Sequence, residues 1–72
     1  MGKYSNISGR KAVTIFKKYG YEFARQTGSH IILKHSSKPT ITIPDHKELA
    51  PGLIRALLSQ SGIDPADFLK RL

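Results

Sequence analysis

The chain has no cysteine, which excludes disulfides, thiolate nucleophiles and cysteine-based zinc sites and fits a reducing compartment. It has few acids, five against twelve Lys and Arg, for a formal net charge of +7. No apolar run is long enough to cross a bilayer or to act as the h-region of a signal peptide. The opening Met1-Gly2-Lys3-Tyr4-Ser5-Asn6 lacks the Ser or Thr at position six that a myristoylation signal requires. The mature chain is therefore expected to be the whole chain. At 72 residues there is no room for a deep pocket, a dinucleotide-binding unit or a second domain. One small domain spanning 1–72 with a lean core is expected, stabilised further wherever a partner covers apolar surface.

What is present is unevenly spread. Residues 1–44 carry Lys3, Arg10, Lys11, Lys17, Lys18, Arg25, Lys34 and Lys38 against a single acid, Glu22, whereas residues 45–72 hold four bases and four acids. The whole excess lies in the first part, which predicts a one-sided basic footprint. A phosphate backbone is the commonest partner for such a surface. A basic face kept for solubility, or for docking an acidic protein, is the alternative and is compatible with it.

Hydrophobic periodicity gives the elements. Residues 1–7 read as a loose lead-in. Ser8 is a good N-cap and Gly20 a good C-terminal stop; between them Ala12, Ile15, Phe16 and Tyr19 form the apolar stripe of an amphipathic helix, with Arg10, Thr14, Lys17 and Lys18 opposite. Tyr21 and Phe23 alternate with Glu22 and Ala24 as in a half-buried strand, and Thr27-Gly28 is the hairpin turn. Residues 30–35 form a β-branched-rich second strand, 36–39 a turn, and Thr40-Ile41-Thr42-Ile43 a third strand that Pro44 ends. Pro51 opens a helix lined by Leu53, Ile54, Leu57 and Leu58 and closed by Gly62; Asp64-Pro65 starts a short last one anchored by Phe68, Leu69 and Leu72. The order α-β-β-β-α, with a short extra C-terminal helix, predicts a two-layer α+β sandwich on a three-stranded antiparallel sheet. Ile31 and Leu33 on one face of the second strand, and Ile32 on the other, leave apolar surface on the open side, which is either a partner site or a single exposed isoleucine.

The tripeptide Gly28-Ser29-His30 stands at the turn. Its glycine lets the backbone bend, and the next residues present a hydroxyl and an imidazole at the start of a strand. Imidazole is the side chain best able to exchange protons near neutral pH, and on a basic surface it points to chemistry on a phosphodiester. A strand histidine that only bonds a neighbour is the alternative that the tripeptide alone favours.

Two stretches carry a family resemblance. The run from Gly20 through Tyr21-Glu22-Phe23-Ala24-Arg25-Gln26-Thr27 to Gly28-Ser29-His30 is similar to the first half of the HicA, or YcfA-like, toxins. Pro44-Asp45-His46-Lys47-Glu48-Leu49, then Gly52 and the Leu/Ile-rich helix to Ser61-Gly62-Ile63, is similar to the second. Ser8-Gly9-Arg10 also matches, and the resemblance covers about residues 7–72. The pairing of G-S-H with a downstream P-x-H-x-E-L is far more specific than either motif alone. The resemblance implies a fold like the double-stranded-RNA-binding domain and the activity of a ribosome-independent mRNA interferase from a bacterial or archaeal toxin–antitoxin module. It further implies a catalytic histidine at His30 and a HicB antitoxin that covers the active face and in many systems carries the operator-binding segment. The residue after Gly52, often a small hydroxyl in the family, is Leu53 here.

RNA can be cut without a metal because its own 2′-OH attacks the adjacent phosphorus. The expected enzyme is a cytoplasmic, cofactor-free endoribonuclease acting on mRNA, with His30 as general base or acid and a 2′,3′-cyclic phosphate product. Ser29, Arg25, Lys34 and Lys47 are the candidate RNA-binding residues, each with a solvated or turn-satisfying role as its alternative. His46 is read as pinning the corner before the second helix, with service as a second proton shuttle as its alternative, and His35 as capping a turn or solvated. No metal site is expected from three histidines without paired carboxylates. Two competing readings are a non-catalytic double-stranded-RNA-binding module and a pure interaction domain that docks an acidic partner.

Overall fold

Ser8 takes extended backbone (φ −79°, ψ 162°) and its side chain accepts the Lys11 N–H, which starts helix α1 (Gly9–Lys17). This is a computed structural model, and it describes residues 4–72; the first three residues of the expected lead-in lie outside the described part. Three strands follow, β1 (Glu22–Thr27), β2 (His30–Lys34) and β3 (Ile41–Pro44), then α2 (Pro51–Ser61) and α3 (Pro65–Lys70). The sheet is antiparallel in the order β1-β2-β3, so β2 is central. The architecture is the α+β arrangement that the periodicity predicts.

The core forms where the apolar stripes meet. Ile31, Leu33, Ile41 and Ile43 line one face of the sheet and join Ala12, Ile15 and Phe16 of α1 and Ile54, Leu57 and Leu58 of α2 in one buried cluster. Full burial of such a side chain contributes about 1.5–3 kcal/mol. Phe68 carries α3 into the same cluster, its ring 5.6 Å from that of Phe16 and 6.4 Å from that of Tyr4. Gly62 ends α2 in the left-handed region (φ 72°), with its N–H on the Leu58 carbonyl.

Four expectations change. The lead-in is not loose where it is described: Tyr4 and Ile7 are 5% and 3% exposed and belong to the core, and the Leu49 N–H donates to the Ile7 carbonyl. Helix α1 stops at Lys17, and Gly20 (φ 96°) ends a further turn instead of the helix itself. Strand β3 starts one residue later than expected, at Ile41, and takes in Pro44 as its last residue, opposite His30; a proline is tolerated there because β3 is an edge strand. Finally, β1 is exposed along its whole length and Phe23 is 53% exposed. The main helix contacts fall on β3, and β1, at the other edge, stays exposed.

His35 follows β2 and resolves in favour of the turn-capping role. Its Nδ1 accepts the Ser37 N–H (3.0 Å), so its Nε2 carries the proton donated to the Tyr19 carbonyl (2.9 Å). Its ring packs edge-on against Tyr21.

Candidate active site

The turn at Gly28 uses a positive φ (59°) in open space. It puts Ser29 outside the ladder and makes His30 the first residue of β2, opposite Thr27 on one side and Pro44 on the other. Alternation along β2 then sets the faces. Ile31 and Leu33 are buried beneath the helices, so His30, Ile32 and Lys34 share the open face. His30 is exposed, and its imidazole makes no hydrogen bond among the described residues.

A bulge decides what joins it there. Glu22 opposes Lys34 and Phe23 opposes Leu33, but Arg25 opposes Ile32, so the register slips between Phe23 and Arg25. Simple alternation would put Arg25 and Thr27 on the same face as Phe23. The extra residue, Ala24, turns both to the open face beside Ile32 and His30. The sequence shows that Arg25 flanks the hairpin; what places its side chain on the histidine's face is the bulge.

The second motif closes the end of the sheet residue by residue. The Asp45 N–H donates to the Ser29 carbonyl at 2.6 Å. The His46 carbonyl accepts the Gly9 N–H at 2.9 Å. Glu48 accepts the Asn6 N–H through Oε2, and Leu49 is buried in the core. His46 thus holds the corner through its backbone, while its imidazole is exposed. Gly9 is where α1 meets this corner: a Cβ there would lie 1.9 Å from the Pro44 carbonyl oxygen.

Arg10 completes the cluster. Its Nε and Nη2 donate to Oδ1 and Oδ2 of Asp45 at 3.1 and 3.3 Å. Those bonds hold the Asp45 carboxyl below its ordinary value of 3.8 and raise the Arg10 guanidinium above its own. Gln26 donates to the Gly28 carbonyl and steadies the turn. One end of the molecule therefore gathers Ser29, His30, Arg10, Asp45, His46 and the exposed Lys47. Lys34 lies at the far end of β2, about 13 Å from His30, beside Glu22, Gly20 and Ser36. Arg25 sits between them.

A family model described as the HicA toxin of bacterial toxin–antitoxin matches residues 9–63. The chain belongs to the HicA toxin family. That membership implies an antitoxin partner for this toxin. No curated protein matches the chain. The matched span includes the turn, the bulge and the corner, whereas Tyr4, Ile7 and Phe68, which complete the HicA core here, lie outside it. Among the described residues no group of three or more His, Cys, Asp or Glu side chains is placed to hold a metal ion, and no helix is long and apolar enough to cross a membrane.

Sequence reasoning missed Arg10 and Asp45 as a pair because they lie 35 residues apart. The signal available was Gly9, a poor helix former placed at a helix start; such a residue marks a close approach of backbone to backbone.

Proposed function

We propose that this toxin is a metal-independent endoribonuclease acting on mRNA without the ribosome, with His30 as the general acid or base. The observation that carries the reading is the exposed, uncommitted imidazole at the mouth of a basic open sheet face. The bond from O2′ to phosphorus forms as the P–O5′ bond breaks. The 2′-OH gives up its proton, O5′ takes one, and His30 serves one of these two transfers. The products are a 2′,3′-cyclic phosphate and a 5′-hydroxyl. Arg25 and Lys34 on the open face and Lys47 at the corner attract the backbone phosphates, and Ser29 bonds a phosphate oxygen or steadies the turn. A HicB antitoxin covers this face in the cytoplasm, and operator DNA is met only through that partner.

The test is chemical. Purified protein in excess chelator should cut a single-stranded RNA and leave cyclic-phosphate ends, and a 2′-deoxy nucleotide at the cut position should stop cleavage there. Undiminished cutting of the 2′-deoxy substrate would overturn the mechanism. Duplex RNA bound tightly and left intact would support the non-catalytic RNA-binding module instead.

A further inference from the structure

We infer that Arg10, oriented by Asp45, is a backbone-phosphate clamp for the RNA strand that enters the His30 end of the sheet. This rests on the ribonuclease reading above and adds a residue and a positioning partner to it. Arg10 lies in the opposite layer from the open sheet face, at the first turn of α1. The corner nevertheless ties it to the site: Asp45 holds the guanidinium, and the Asp45 N–H is bonded to the carbonyl of Ser29, the residue before His30. A strand that lays one phosphate against His30 and runs over the end of the sheet reaches Arg10 with a neighbouring phosphate.

The geometry of the pair supports a ligand role over a stabilising one. Arg10 is 82% exposed, whereas the Asp45 side chain that anchors it is 21% exposed, and an ion pair with one partner so open to water adds little to folding. A guanidinium offers five N–H donors, of which two are engaged by Asp45. The rest lie on the outer edge of the fork, fixed in direction and free to meet an anion. A planar fork held still by a carboxylate is suited to phosphate recognition, because less side-chain freedom is lost on binding. Asp45 is a positioning residue here and does not itself touch RNA.

The experiment measures affinity for a single-stranded 2′-O-methyl RNA, which binds but cannot be cut, across a range of salt. Arg10→Ala should weaken binding roughly tenfold, as expected for one charge-assisted bond, and should reduce the salt slope by about 0.7, one single-strand phosphate contact. Its melting temperature should stay close to that of the parent. Arg10→Lys should keep the salt slope but lose part of the affinity. Asp45→Ala is the sharper arm. Bulk electrostatics predicts that removing an acid tightens RNA binding; the clamp predicts weaker binding, with no further loss when Arg10→Ala is already present. Unchanged affinity and slope in Arg10→Ala, or tighter binding in Asp45→Ala, would overturn the proposal. Cleavage by a His30→Ala variant would instead defeat the assignment of His30 as general acid or base and leave the binding result standing.

Discussion

Replacing Gly9 by Ala should destabilise this protein, against the usual rule for a helical glycine. In an open helix interior Ala is favoured over Gly by up to about 1 kcal/mol. At Gly9 the new Cβ would fall 1.9 Å from the Pro44 carbonyl oxygen, 3.0 Å from its carbon and 3.2 Å from the Asp45 Cα, all backbone atoms. A carbon–oxygen contact settles near 3.3 Å or beyond, so α1 and the corner must separate by more than about 1 Å. Such overpacking costs roughly 1–3 kcal/mol. The same displacement strains the hydrogen bond from the Gly9 N–H to His46, which contributes about 1 kcal/mol. After the helix-propensity gain, a net loss of about 2 kcal/mol remains. For a domain of this size that lowers the melting temperature by roughly 8–16 °C. Gly52 is the internal comparison: it lies in α2 with nothing within 4 Å of its would-be Cβ, so Gly52→Ala should gain up to about 1 kcal/mol. Thermal melts followed by circular dichroism read both variants. A Gly9→Ala protein that melts at or above the parent would refute the claim that this contact joins helix to corner.

Other outcomes follow from the same geometry. Phe68→Ala removes a fully buried ring that touches Phe16 and Tyr4 and should cost about 3–5 kcal/mol, read by urea unfolding; a loss under 1 kcal/mol would show that α3 is an appendage. Tyr21 donates to the Pro39 carbonyl, and burial raises its phenol above the ordinary 10.0. Its contribution to stability is therefore complete below pH 10 and lost as pH rises through the raised value. Stability of the parent should fall more steeply in that alkaline range than that of Tyr21→Phe. Lys34, about 13 Å along β2 from His30, should matter for affinity and not for turnover: Lys34→Ala should raise KM for RNA and leave kcat within about twofold.

The periodic parts of the fold were legible in the chain. The stripe of Ala12, Ile15 and Phe16 and the alternation of Ile31 with Leu33 and Ile41 with Ile43 each follow from one local period, and the glycine turn placed His30 without any tertiary information. Legibility ended where distant segments decide. Phe23 fits a strand pattern, yet it is 53% exposed, on a strand that is exposed along its whole length while the main helix contacts fall on β3. Ala24 carries no mark of the bulge that turns Arg25 toward His30. Tyr4 and Ile7 precede the first cap and have no period of their own; their burial comes from the corner near Leu49 and from α3. The Arg10–Asp45 pair is a meeting of a helix start with a strand end that no local pattern encodes.

The imidazole at the start of β2 carries the proposed chemistry. Single-turnover cleavage of a defined RNA by folded His30→Ala protein measures it directly. Loss of one general acid or base predicts a rate at least about 10²-fold below the parent, with an unchanged melting curve and retained affinity for uncleavable RNA. Parent-like cleavage by that variant would contradict the account.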